Sequence, residues 1–83
     1  MHLILTEGPY RFYLFSREEQ RKHVHVSAPG GEVKIWLEPE TAVAKTVNLS
    51  NTEVYRILKI TESKKEEFSE YWTRHFLRTS EQN

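Results

Sequence analysis

The sequence predicts an α+β domain, an antiparallel β-sheet of about four strands packed on one face by a long C-terminal helix, straight or kinked. Two periodicities and one turn carry that expectation. Residues 10–37 alternate apolar and polar side chains, the period of half-buried strands. Residues 54–76 set apolar side chains at intervals of three and four, the period of a helix face. Pro29-Gly30-Gly31 falls between two alternating runs, where a tight hairpin needs positive φ. The chain has 83 residues, enough for one domain, 1–83, with strands over about 3–47 and a helical region over about 51–78.

Leu3-Ile4-Leu5 is a short apolar start, and Glu7-Gly8-Pro9 turns the chain. Tyr10 to Phe15 is rich in aromatics, which suit a pleated surface. Ser16 to Arg21 is a polar loop. His23 to Ser27 is the next strand, and Val33 to Leu37 returns beside it after the hairpin. Glu38-Pro39-Glu40 ends that strand, because proline cannot donate to a ladder. Thr41 to Val47 is a weaker strand, with Val43 and Val47 as its best apolar residues against Ala42 and Ala44. Ser50 followed by Glu53 is a capping box that opens the helical half. Val54, Ile57, Leu58, Thr61, Lys65, Phe68, Trp72 and Phe76 then recur on the helical period. Ser63 with Glu66 could be a second capping box, which leaves one kinked helix and two helices both open. Thr79 to Asn83 should fray.

Composition removes several function classes. There is no cysteine, hence no disulfide framework, thiolate zinc site or thiol nucleophile. The 12 basic and 12 acidic residues cancel, which argues against a general nucleic-acid coat protein but not against a locally basic site. No apolar run approaches the roughly 18 residues of a membrane span. The N-terminus is too short and too acidic for a signal peptide, so a cytoplasmic location is expected. Pro29-Gly30-Gly31 leads into a strand rather than a helix, so it is no phosphate-cradling loop, and no motif implies a cofactor.

Alternation sorts the sheet residues into two sets. Phe12, Leu14, Val24, Val26, Val33, Ile35 and Leu37 form the core face under the helix. The opposite face collects Arg11, Tyr13, His23, His25, Lys34 and Trp36. Cations neutralise phosphate and rings stack on bases, so that set suits a phosphate-bearing ligand. Two imidazoles about 7 Å apart along a strand can also exchange protons near neutral pH. The alternative is plain packing, since exposed sheet faces carry polar and aromatic pairs for stability alone. His2 near the terminus reads as solvated and His75 as a helix-boundary residue.

Gly8-Pro9-Tyr10-Arg11-Phe12-Tyr13, His23-Val24-His25-Val26, Gly31-Glu32-Val33-Lys34-Ile35-Trp36-Leu37, then Glu66-Glu67-Phe68 and Trp72 resemble the small bacterial proteins filed as domain of unknown function 4160. The likeness spans nearly the whole chain in order and spacing. One departure stands at Lys22, where those proteins usually carry proline before the first histidine. The resemblance implies no established activity. It does imply a neighbouring small gene, in pairs commonly assigned to toxin–antitoxin modules, and hence an antitoxin-like protein partner. The family's recurrent polar residues map onto Arg11, His23, His25 and Lys34.

Three functions fit these residues. The favoured one is the toxin of a two-gene module, a metal-independent ribonuclease. In it His23 and His25 are acid and base, Arg11 and Lys34 hold phosphate, and Tyr13 or Trp36 stacks a base. A free imidazole pKa near 6.5 suits that exchange. The alternative is a non-catalytic module whose polar and aromatic face docks a partner protein or an anionic ligand. A metal site ranks last, because zinc needs a third ligand and nothing fixes the distance of Glu32 or Glu7, which could supply it.

Overall fold

A computed structural model describes residues 2–15 and 21–81, the side chains of 76–81 excepted. The sheet is a five-stranded antiparallel meander in the order β1-β2-β3-β4-β5. Its strands are β1 (His2–Glu7), β2 (Tyr10–Leu14), β3 (His23–Ala28), β4 (Gly31–Trp36) and β5 (Ala42–Val47). Two helices follow, α1 (Asn51–Ser63) and α2 (Lys65–Glu81). The α+β expectation holds, with five strands instead of about four. The extra strand comes from both weakly patterned segments, 2–7 and 42–47, joining the ladder as its edges. Cross-strand hydrogen bonding to β4 outweighs the poor strand propensity of Ala42 and Ala44.

Two turns set the register. The loop Gly8-Pro9 joins β1 to β2 with Gly8 at φ +57°, the first-position glycine of a tight hairpin. Pro29-Gly30 joins β3 to β4, and only Gly30 takes positive φ there, +85°. Gly31 is needed for a different reason. A Cβ on it would land on the Val47 carbonyl oxygen and 2.6 Å from that of Asn48, so the end of β5 closes over a bare backbone. Each edge strand carries a bulge, β1 between Leu3 and Leu5 and β5 between Val43 and Lys45.

Helix α1 starts where its capping box predicts. The Ser50 side chain accepts from the Glu53 N–H at 3.1 Å. Ser63 does not repeat the role: its hydroxyl donates to the Ile60 carbonyl, and Lys64 forms the joint. Lys64 closes α1 through its N–H and opens α2 by accepting from Phe68 N–H at 2.9 Å. The two helices therefore follow one another with a single residue between them. Helix α2 runs to Glu81, past the expected fraying point at Thr79. Residues 16–20 of the predicted 16–21 loop, the Phe76 side chain and the last two residues lie outside the described residues.

The core contains the whole set that alternation chose, with Tyr10 and Ala28 added at the strand ends. Phe12, Leu14, Val24, Val26, Val33, Ile35 and Leu37 are buried with Ile57, Phe68 and Trp72. The Phe12 and Phe68 rings lie 5.4 Å apart and pin α2 to the sheet. Each such side chain contributes about 1.5–3 kcal/mol on leaving water. Thr61, also buried, satisfies its hydroxyl on the Ile57 carbonyl at 2.8 Å. One sheet face is covered by helices; the other is free of them among the described residues except at the His23 end, where Trp72 of α2 packs on the ring.

Candidate functional site

Register places three rows of side chains across the helix-free face. Directly opposed residues on neighbouring strands point to the same side. One row runs Leu3, Tyr13, His25, Lys34, Lys45. Two residues along lies Thr6, Arg11, Ser27, Glu32, Val47. Two residues the other way, His23 faces Trp36, which faces Ala42. All six predicted site residues thus share one side of the sheet by register, but they do not form one cluster.

A groove of about 520 Å³ opens on this face. Tyr13, Phe15, His25, Lys34, Lys45 and Val47 line it, with Ser27 and Glu32 from the adjacent row. Of the six candidates, Tyr13, His25 and Lys34 border it, whereas Arg11, His23 and Trp36 do not. Phe15 stacks on the His25 ring at 4.2 Å and fixes the imidazole plane. Lys34 and Lys45 stand directly opposite each other on β4 and β5. Among the described residues Lys59–Glu62, Lys64–Glu67 and Glu70–Arg74 pair on the helices, and neither Lys45 nor Glu32 belongs to an ion pair.

His23 sits elsewhere. It is 0 % exposed, with its ring 4.7 Å from Trp72 of α2, 5.6 Å from Trp36 and 5.1 Å from His25. Its Nδ1 lies 2.7 Å from the Arg21 carbonyl oxygen. A carbonyl can only accept, so Nδ1 carries the proton and Nε2 is the basic nitrogen of the neutral ring. The Nε2 atoms of His23 and His25 are both shielded from solvent. The simple alternation rule fails for exposure here, because strand parity says nothing of a helix that reaches the end of the sheet.

Trp36 is not an open stacking platform. The Arg21 guanidinium lies 4.2 Å from its ring centroid and Lys34 Nζ 4.6 Å. Arg21 also donates from Nε to the Glu38 carbonyl oxygen at 2.8 Å. At Lys22 the backbone N–H donates to the Glu38 carboxylate at 3.4 Å, a bond proline could not make. The Lys22 carbonyl accepts from Leu37 N–H at 2.8 Å. The start of β3 is therefore tied to the 37–38 turn through backbone groups. Among the described residues no group of three or more His, Asp or Glu could hold a metal ion, and no helix is long and apolar enough to cross a membrane.

Sequence reasoning missed Lys45, Phe15, Ser27 and Glu32 as groove residues. The signal for Phe15, Ser27 and Glu32 was present, since each shares parity with the chosen set. Lys45 had no such signal. An unbroken strand that buries Val43 would bury Lys45 and Val47 with it. The bulge at Ala44 separates them, leaving Val43 opposite buried Ile35 and sending Lys45 to the free face.

Fold and groove define a small antiparallel α+β domain with a cationic, aromatic-walled cleft on its helix-free face. The chain belongs to the family described as domain of unknown function (DUF4160), whose model matches residues 10–73. That span opens on the first residue of β2 and leaves β1 outside it. No curated protein and no solved structure matches the chain.

Proposed function

We propose that this chain is the toxin component of a bacterial two-gene toxin–antitoxin module, working in the cytoplasm on RNA through the groove of its helix-free face. One observation carries the reading: Lys34 and Lys45 are opposed across β4 and β5 beside His25, in a cleft walled by Tyr13 and Phe15. Two ammonium groups neutralise a phosphodiester and stabilise charge that grows on it during cleavage. His25 is the imidazole that lines the groove, so proton transfer falls to it. His23, packed between two tryptophans and held by the Arg21 carbonyl, positions the His25 ring through edge contact.

The test is induced expression of wild type and His25→Ala, with growth recorded and total RNA inspected. Arrest and RNA loss in wild type, with relief in a folded His25→Ala protein, is the expected result. Purified protein that neither cuts RNA nor arrests growth would sink the reading. A second reading is a non-catalytic module that docks an antitoxin-like partner or an anionic ligand on the same face. The shielded Nε2 atoms favour it, because a buried nitrogen reaches no substrate proton without rearrangement. Its mark would be a tight complex with the neighbouring gene's product and cellular activity indifferent to His23→Ala and His25→Ala.

A further inference from the structure

The groove on the helix-free face offers a ligand one cation and one anion. Lys34 lends the lining its aliphatic stem, but its ammonium lies 4.6 Å from the Trp36 ring centroid, and Trp36 does not border the groove. Lys45 and Glu32 are exposed, and both line the groove. Lys34 faces Lys45 and Glu32 faces Val47, so Lys45 and Glu32 stand on a diagonal of the same face, with β-carbons roughly 7 Å apart. Side chains of that length span the gap, and opposite charges so placed stabilise a sheet when they pair. Yet neither residue belongs to an ion pair among the described residues. The β5 bulge is what brings Lys45 and Val47 to this face, and bulges commonly re-aim side chains beside sites.

Charge decides what such a groove can hold. A simple anion on Lys45 is repelled by the Glu32 carboxylate, and a simple cation on Glu32 by the Lys45 ammonium. A molecule that carries both charges close together satisfies both. Tyr13 and Phe15, half-buried, and Val47, 38 % exposed, add apolar wall. The volume, about 520 Å³, is that of a small-ligand site, larger than two charged groups alone would fill. We infer that the groove binds a zwitterionic α-amino acid with an aromatic side chain. Its carboxylate accepts from Lys45, its ammonium donates to Glu32, and its ring lies against Tyr13 and Phe15. Ser27 faces Glu32, and its hydroxyl oxygen accepts a further hydrogen of the ammonium. Two charge-assisted hydrogen bonds of about 2.8 Å, with one carbon between the charged groups of the ligand, fit between side chains on that diagonal. The site stands on the groove alone and does not depend on this face receiving RNA.

The experiment is titration of the full chain, freed of nucleic acid, with L-phenylalanine, L-tyrosine and L-tryptophan, followed by calorimetry and amide NMR shifts. Three analogues each remove one feature: phenethylamine lacks the carboxylate, phenylpropionate lacks the ammonium, and glycine lacks the ring. Each should bind about tenfold or more weakly than L-phenylalanine. Lys45→Gln should hold L-phenylalanine no better than phenethylamine, and Glu32→Gln no better than phenylpropionate. Near-UV circular dichroism checks that both variants are folded. Shifts should centre on Tyr13, Ser27, Glu32 and Lys45. Absence of saturable binding of all three amino acids at millimolar concentration overturns the inference. So does phenethylamine or phenylpropionate binding as tightly as L-phenylalanine, or unchanged affinity in either folded variant. Shifts confined to residues outside the groove overturn it too. RNA binding or cleavage by the same preparation bears on the proposed function alone.

Discussion

Gly31 and His23 show how single positions constrain this molecule. The Gly31 α-carbon sits under the carbonyl oxygens of Val47 and Asn48, both backbone atoms that cannot swing aside. Gly31→Ala should therefore destabilise the fold by about 1–3 kcal/mol, the usual result of forcing a methyl group into a filled space. Urea denaturation checks this, and a change within a few tenths of a kcal/mol would mean that the β5 end moves freely. His23 is wholly buried among Trp36, Trp72 and His25, with Nδ1–H donating to the Arg21 carbonyl. His23→Ala removes a packed ring and leaves that carbonyl short of a partner, a loss of roughly 2–4 kcal/mol. His25, only half-buried, should cost less on the same change. A growth phenotype of His23→Ala then reports folding, whereas one of His25→Ala reports the site, and their urea midpoints should differ accordingly. Equal midpoints would return His23 to the role of a chemical partner.

Within elements, what could be read from sequence was the periodic part. Alternation named Phe12, Leu14, Val24, Val26, Val33 and Ile35, because a face turned to helices must be apolar at every second position, but it left out Tyr10 and Ala28 at the strand ends and put buried His23 on the other face. The capping box located the start of α1 through a bond that the structure contains. The bulge in β5 was not legible, since nothing in Ala42-Val43-Ala44-Lys45 marks which alanine is extra; only pairing with β4 decides it. The helix joint at Lys64 was equally hidden, because Ser63 had two possible hydrogen bonds and took the one to the preceding turn. The site suffered more than the fold, as one bulge moved Lys45 into it and one helix took His23 out of it. Helix α2 owes its place to Phe68 and Trp72, not to caps. Phe68→Ala should cost about 3–5 kcal/mol, a large part of the roughly 5–15 kcal/mol that holds a domain together. The change should separate α2 from the sheet, seen as loss of near-UV circular dichroism. Ser50→Ala removes one exposed cap and should cost only about 1 kcal/mol.

At the scale of the whole molecule, charge and edges both point to the face rather than to the rim. The exposed margins β1 and β5 each carry a bulge, and a bulged edge twists away from a flat strand that would pair with it. Strand addition at either margin is thus disfavoured, and a partner or ligand is better received on the helix-free surface. There the 12 acidic residues balancing 12 basic ones matter. A neutral molecule has little long-range pull on a polyanion, so under the proposed function the affinity for RNA would have to come from the few cations inside the groove. For single strands, log K falls with log salt by roughly 0.7 for each phosphate neutralised. One phosphate position at Lys34 and Lys45 would give a slope of about −0.7. Proteins coated with basic residues lose far more, with slopes of about −5 or steeper. Anisotropy titrations of a tetraribonucleotide between low and near-physiological salt would measure it. A shallow slope supports a local phosphate site on a neutral body. A steep one would mean that cations well outside the groove, such as Arg11 and Arg21, hold further phosphates, and that the RNA lies across the whole face of the sheet.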